Sequence, residues 1–379
     1  MSAPAPRPRA RDLGIVIGDQ PPGPHNAITD VPGIRVGHTT LIEGDGPRMP
    51  GVGPVRTGVT VVLPNDEPWR TPVYAAPHRL NGNGELTGLE WIRESGMLSS
   101  HIGLTNTHSV GVVRDALVAY EAARRDPDEL FFALPVVGET WDGVLNDING
   151  FHVTREHVFA AIEAATDGPV AEGSVGSGTG MICHGFKGGI GTSSRIVEVG
   201  DERFTVGVLV QANHGARERL AIDGVPVGEL HRRAFGPEPN PFDAPPGTGS
   251  IIVIVATDAP LLPVQCGRLA QRAGLGVARV GGAGENGSGD IFLCFATGAG
   301  DLPAGFDRAG DRSFATIRTL SNEQIDGFFY ATIAATEEAI VNAMLASDTM
   351  SGALGECEGI PVEWLVDTLA RHAVPKTQR

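Results

Sequence analysis

Two periods of hydrophobicity alternate along the chain. Short apolar runs at 34–37, 58–63, 131–137, 196–199, 204–210, 250–256 and 291–296 predict strands. The runs at 196–199 and 204–210 read as one hairpin turning through Gly200 and Asp201. Helical spacing takes over at 86–94 (Leu86, Leu89, Ile92), 110–124 (Val113, Leu117, Tyr120), 157–165, 262–273 and 322–346. Between them lie polar, breaker-rich stretches at 76–84, 173–191, 230–248 and 281–289. The third of these holds Pro237, Pro239, Pro241, Pro245 and Pro246 and reads as an exposed linker or lid. Strands and helices mix without strict βαβ alternation. That favours an α/β layered sandwich, with helices covering sheets from outside, over a doubly wound sheet.

Bulk properties narrow the class. With 379 residues, 41% apolar and 20% charged, the chain suits a soluble enzyme with a large core. A net charge of −16 argues against nucleic acid or an anionic membrane as partner and suits substrates with a free ammonium. The four cysteines are scattered and read as small buried hydrophobes. The N-terminal stretch lacks the apolar core of a signal peptide and no apolar run spans a bilayer, so the expected location is cytoplasmic, behind a disordered Pro-Arg tail.

Candidate chemistry starts at Gly249-Ser250. A breaker-rich loop ends at Gly249, and Ser250 opens a strand apolar on both faces. A hydroxyl there can attack the preceding carbonyl, cut the chain, and leave serine as an N-terminal nucleophile beside its own amine. Gly-Ser before a strand is also common turn chemistry. Ser288 and Asp290 alternate onto one face as the next strand begins, so a carboxylate can orient a hydroxyl; a plain polar turn reads the same way. Asn213, where the run through Val210 ends, suits an oxyanion donor or a turn cap. Beside it, His214 invites a general-base reading, although a strand-end histidine is more often a surface or capping residue. Glu139 leaves an apolar run beside Trp141 and can hold an ammonium, or simply be solvated. The glycine clusters at 173–180 and 281–289 fit neither a dinucleotide fingerprint nor a P-loop, and the eleven histidines show no metal-ligand spacing.

Taken together, these residues resemble the L-aminopeptidase D-esterase and β-peptidyl aminopeptidase family of self-processing serine hydrolases. The likeness spans the chain from Asn26-Ala-Ile-Thr-Asp-Val-Pro-Gly33 to Ala335-Thr-Glu-Glu-Ala-Ile340. It is most specific at Gly173-Ser-Val-Gly-Ser-Gly-Thr-Gly180, Lys187-Gly-Gly-Ile-Gly-Thr-Ser-Ser-Arg195, Gly249-Ser250, Ala256-Thr-Asp-Ala-Pro-Leu-Leu262 and Gly287-Ser-Gly-Asp290.

The resemblance implies a four-layer αββα sandwich like that of N-terminal-nucleophile hydrolases but differently connected. It implies cleavage between Gly249 and Ser250 into a large chain (1–249) and a small chain (250–379) that share one domain. It implies Ser250 as nucleophile, Ser288 with Asp290 in support, Asn213 as oxyanion donor and Glu139 as anchor for the substrate amine. No cofactor or metal is expected, and assembly is expected as a tetramer of two-chain units. Relatives differ at two positions: some carry glutamate at 290, and aminopeptidase relatives carry tyrosine at 141. Indole donates but cannot accept a hydrogen bond, so Trp141 cannot fill a phenol's role near the nucleophile, and the substitution is expected to reshape the pocket.

The N-terminal half resembles the L-aminopeptidase D-esterase branch more. The expected activity is therefore release of N-terminal residues from short peptides, amides or esters through an acyl-enzyme. A β-peptidyl aminopeptidase is the alternative. An ornithine-acetyltransferase-like acyltransferase is more distant, because those enzymes carry a threonine nucleophile. An inert binding protein on the same fold is disfavoured, because every catalytic position is filled.

Overall fold

The structure, a computed structural model, describes residues 7–237, 249–300, 302 and 314–372. Two sheets face each other. One runs in the order β1 (Arg35–Glu43), β2 (Val55–Leu63), β5 (Ile102–Asn106), β6 (Val136–Thr140). The other runs β4 (Met97–Leu98), β3 (Val73–Arg79), β12 (Gly289–Ala296), β11 (Ser250–Thr257), β10 (Glu202–Asn213), β9 (Gly189–Val199). Helices α2 (Val110–Ala122) and α3 (Arg155–Glu163) pack outside the first sheet through Val113, Leu117, Val158 and Ile162. Outside the second lie α5 (Pro263–Arg279) and α6 (Asp326–Leu345), contributing Leu269, Ala273, Phe328 and Ile340. The result is the expected αββα sandwich. Smaller elements complete it: α1 (Leu89–Ser95), α4 (Val227–Phe235), α7 (Val362–His372), and the two-stranded ribbons β7 (Ile182–Cys183) with β8 (Phe186–Lys187) and β13 (Met350–Gly352) with β14 (Gly355–Cys357).

The apolar run of β11 has its reason in this layering. Ile252 and Ile254 point between the sheets with Val62, Leu104, Leu209 and Leu293. Ile251, Val253 and Val255 point to the helix layer with Phe292 and Ala273. A strand buried on both faces shows no polar alternation, and each buried aliphatic side chain contributes roughly 1.5–3 kcal/mol.

Several expected boundaries move. The polar stretch at 76–84 is half strand, because β3 runs to Arg79 and pairs with β12. The strand expected at 131–137 begins only at Val136. The end of the polar stretch at 173–191 opens β9 at Gly189, and α6 lies so close that an added Cβ on Gly191 would sit 1.9 Å from the Ala339 carbonyl oxygen. Small residues are what let that helix approach.

Residues 230–235 belong to α4, while 238–248, the heart of the expected linker, lie outside the described residues. The Pro-Arg tail is not loose from Arg7 onward. Arg7 donates to the Leu345 and Ile360 carbonyls, and Arg9 pairs with Glu172 at 2.6 Å. All four cysteines are buried and unbridged. Among the described residues no helix is long and apolar enough to cross a membrane.

One buried charge pair ties α6 to β9. Arg195 reaches Glu338 at 2.6 Å with both side chains fully inaccessible, and Arg11 and Asn26 also donate to Glu338. Removing one partner strands the other charge in a dry core. Glu338→Ala is therefore expected to lower unfolding stability by about 3–5 kcal/mol, measured by denaturant titration; a loss below about 1 kcal/mol would contradict it.

Candidate active site

Ser250 opens the central strand, and its two neighbours define the site. Across the antiparallel ladder it faces Asn213, the last residue of β10. Across the parallel ladder it faces Gly289, the first residue of β12. Facing residues project to the same side of a sheet, so Asn213 and Ser250 share the inter-sheet face of Leu209 and Ile252. Both are buried, Ser250 at 6% exposure.

The peptide before Ser250 is tightly constrained. Gly249 has φ of +150°, and an added Cβ would lie 2.1 Å from the Asn213 carbonyl oxygen. No side chain fits there. The Gly289 N–H donates both to Ser250 Oγ (3.1 Å) and to the Gly249 carbonyl oxygen (3.3 Å). One donor thus serves a hydroxyl and the carbonyl beside it.

Ser288 and Asp290 share a face, as alternation predicts: Ser288 Oγ donates to Asp290 Oδ1 at 2.6 Å. Both are buried. They flank Gly289, and among the described residues neither bonds Ser250 Oγ directly. Burial pushes the Asp290 carboxyl up to about 6, against the Ser288 hydroxyl and the Ile251 N–H, whose hydrogen bonds favour the anion.

Asn213 is held at both ends of its amide. Ile182 N–H donates to Oδ1 at 2.8 Å, and Nδ2 donates to the Trp141 carbonyl at 3.0 Å. That leaves one Nδ2 hydrogen for another acceptor. Trp141 thus meets Asn213 through its backbone, while its indole is 47% exposed and lies over Gly143.

Glu139, at 3% exposure, is buried rather than solvated. Glu85 N–H donates to Oε1 at 2.9 Å and the Thr107 hydroxyl donates to Oε2. Among the described residues no lysine or arginine pairs with it. Burial raises its carboxyl, with Thr107 and Glu85 N–H opposing. Gly84 measures its closeness to Gly289, the ladder neighbour of Ser250: a Cβ there would lie 3.1 Å from Glu139 Oε1 and 3.2 Å from Gly289 Cα.

His214 is neither a surface residue nor a plausible base. It is buried with Cys183 and His184, ring centroids of the two imidazoles 5.1 Å apart. Desolvation, with His184 adding, holds it well below the usual histidine range. Cys183, His184 and His214 place one ligand atom each within 4.8 Å of one another. Tetrahedral zinc brings such atoms to roughly 3.5 Å, so this is a looser cluster, read here as core packing. The glycines at 176–178 form a buried turn; a Cβ on Gly176 would lie 2.4 Å from Thr60 Oγ1.

Sequence reasoning named the side chains and missed the backbone. Gly289 N–H, Ile182 N–H and the 83–85 segment carry no residue-type signature, apart from the glycines at 84 and 289 that close approach demands.

The site is thus a buried serine at the head of the central strand of an αββα sandwich, flanked by Asn213 and Gly289. Residues 26–357 match peptidase family S58, and the chain belongs to that family. It is 49% identical over 362 residues to Beta-peptidyl aminopeptidase BapA of Sphingosinicella microcystinivorans, covering 93% of this chain and 89% of that protein. Among solved structures, a Burkholderia sp. β-aminopeptidase superposes with a TM-score of 0.90 at 51% identity, covering 97% of this chain and 100% of that one. The L-aminopeptidase D-Ala-esterase/amidase of Ochrobactrum anthropi, described as a variant of the Ntn hydrolase fold, gives 0.87 at 42% identity, covering 97% and 99%.

The hydrogen bond at Asp290 makes a direct prediction. The carboxyl titrates near pH 6, and Ser288→Ala, which removes a donor to the anion, shifts the midpoint upward. Infrared difference spectroscopy with carboxyl-labelled aspartate reads both; a downward shift would contradict the geometry.

Proposed function

We propose that this chain is a self-processing β-peptidyl aminopeptidase, made as one polypeptide and active as a large chain of residues 1–249 and a small chain of residues 250–379. The observation that carries the self-processing step is the shared Gly289 N–H, which contacts both the Ser250 hydroxyl and the Gly249 carbonyl. Substrate preference rests on relatives. Those named for β-peptides stand at 49% and 51% identity, the L-aminopeptidase D-Ala-esterase/amidase at 42%. That ordering supports the β branch over the L-aminopeptidase D-esterase branch that the N-terminal motifs favour.

In maturation, Ser250 Oγ attacks the Gly249 carbonyl carbon. The hydroxyl proton passes to the Ser250 nitrogen, the C–N bond breaks and an ester forms. Water then opens the ester, leaving a Gly249 carboxylate and a free Ser250 amine with an intrinsic pKa of roughly 8. In turnover, the same hydroxyl attacks the substrate carbonyl and expels the amine of the next residue. Asn213 Nδ2 and Gly289 N–H stabilise the oxyanion, and the Ser288–Asp290 pair with the Ser250 amine moves protons. Glu139, a buried carboxylate that no lysine or arginine pairs with among the described residues, receives the substrate ammonium.

Denaturing electrophoresis of active enzyme is expected to give two bands, the smaller beginning Ser-Ile-Ile-Val. Ser250→Ala should stay as one inactive chain, and an active single band would defeat the mechanism. Among anilides and amides, a β-homo-residue anilide is expected to turn over fastest; preference for L-alanine anilide or D-alanine amide would assign the other branch. Glu139→Gln is expected to raise KM by about 10–100-fold with a smaller change in kcat, since a charge-assisted bond is lost. An unchanged KM would remove Glu139 from recognition. Because Asp290 must be ionised to accept a proton, kcat/KM should fall as pH drops through about 6, a limb that Asp290→Asn abolishes.

A further inference from the structure

The chain holds 29 lysines and arginines, and only Lys187 and Lys376 are lysines. A sequence that uses arginine almost everywhere keeps a lysine where the side chain is wholly inaccessible. Lys187 lies on β8, and no carboxylate pairs with it among the described residues. Its Nζ instead donates to three carbonyl oxygens: Gly188 at 2.8 Å, Met181 at 2.9 Å and Gly178 at 3.3 Å. An ammonium has three hydrogens and no acceptor, so this cage matches the protonated form hydrogen for hydrogen. A guanidinium is planar and forked and does not fit such a converging set.

The three carbonyls belong to the strand-and-turn unit that carries Ile182. Met181 accepts from both Lys187 Nζ and Gly188 N–H. Ile182 follows Met181, pairs with Lys187 across the ribbon, and donates its N–H to Asn213 Oδ1. Ser347 Oγ supports the same frame by donating to the Gly188 carbonyl. The chain of contact therefore runs from ammonium to Met181 carbonyl, to Ile182 N–H, to the Asn213 amide, which sits opposite Ser250.

We propose that Lys187 is a positioning residue for the reaction: its buried ammonium fixes the 178–188 backbone so that Ile182 holds Asn213 in the orientation that stabilises the oxyanion. This rests on the reading of Asn213 as oxyanion donor. A misaligned donor weakens transition-state binding while leaving the ground-state complex intact, so the effect falls on kcat. Burial, opposed by the negative character of nearby Cys357 and Cys183, brings the Lys187 pKa down to about 7, so its charge is within reach of ordinary titration.

The test is a double-mutant cycle on processed enzyme with a β-homo-residue anilide. Asn213→Ala should lower kcat by about 10²–10³-fold. Lys187→Met should lower kcat by at least about tenfold, with KM changed less than about twofold, because the loss acts through that donor. The double variant should be no slower than Asn213→Ala alone. Multiplying losses, or unchanged kcat in Lys187→Met while Asn213→Ala falls, would overturn the positioning role. Unchanged kcat in Asn213→Ala would instead overturn the oxyanion reading, and with it the proposed route of action.

If Lys187→Met does not fold or process, a gentler substitution replaces it. In a Lys376→Arg background, biosynthetic replacement of lysine by 4-thialysine changes position 187 alone and supplies a weaker base of nearly the same shape. Loss of the Lys187 charge should make kcat fall on the alkaline side; with 4-thialysine that fall should move to lower pH with KM unchanged, and it should vanish when Asn213→Ala is added. No movement of that limb, or movement that survives Asn213→Ala, would overturn the proposal.

Discussion

The pairing of β11 between an antiparallel and a parallel neighbour is the constraint on which the site depends. It sets Asn213 and Gly289 on either side of Ser250 through ladder register alone. Register in a strand buried on both faces is strongly specified, because a slip of one residue would exchange the inter-sheet and helix-facing sets. The core that holds the sandwich together is therefore also what aligns the site. Ile252 and Ile254 anchor one face and Val253 and Val255 the other, and Ser250 stands at the head of that same run.

The rest of the site is held by close approach. Gly249, Gly289 and Gly84 each sit where a Cβ would strike backbone or a functional side chain. Those contacts thread the 83–85 segment between Gly289 and Glu139. The carboxylates tell a parallel story. Asp290 and Glu139 are both buried and both raised by desolvation, yet their partners differ. Asp290 is coupled to a hydroxyl and a strand amide. Glu139 is held by an amide and a hydroxyl, with His108 nearby but no lysine or arginine paired to it among the described residues, an electrostatic demand that a substrate ammonium would meet.

Much of this was legible in the residues. A layered sandwich with helices outside its sheets followed from strands and helices mixed without βαβ alternation, its αββα form from the family resemblance, and the doubly apolar run after Ser250 marked a strand buried on both faces. The Ser288–Asp290 pairing followed from alternation. Other features were not legible, for physical reasons. Residues 189–191, read with the polar stretch before them, look like a loop because strand propensity ignores a helix pressing on them, as α6 does at Gly191. His214 looks like a strand-end histidine because its burial depends on Cys183 and His184, distant in sequence or in turn geometry. The Arg7 and Arg9 contacts that hold the N-terminal segment reach partners more than 160 residues away. The family motif Lys187-Gly-Gly was visible, but the carbonyl cage that gives its lysine a task was not.

The double use of one amide at Gly289 has an evolutionary consequence. On the reading given above, the same N–H polarises the chain's own carbonyl once and every substrate carbonyl thereafter. Maturation and turnover are then pleiotropic outputs of a single donor. A lineage cannot drift far in one without being exposed in the other, so birth of the mature enzyme acts as a proofreading step: a molecule that fails to assemble this corner never releases its nucleophile.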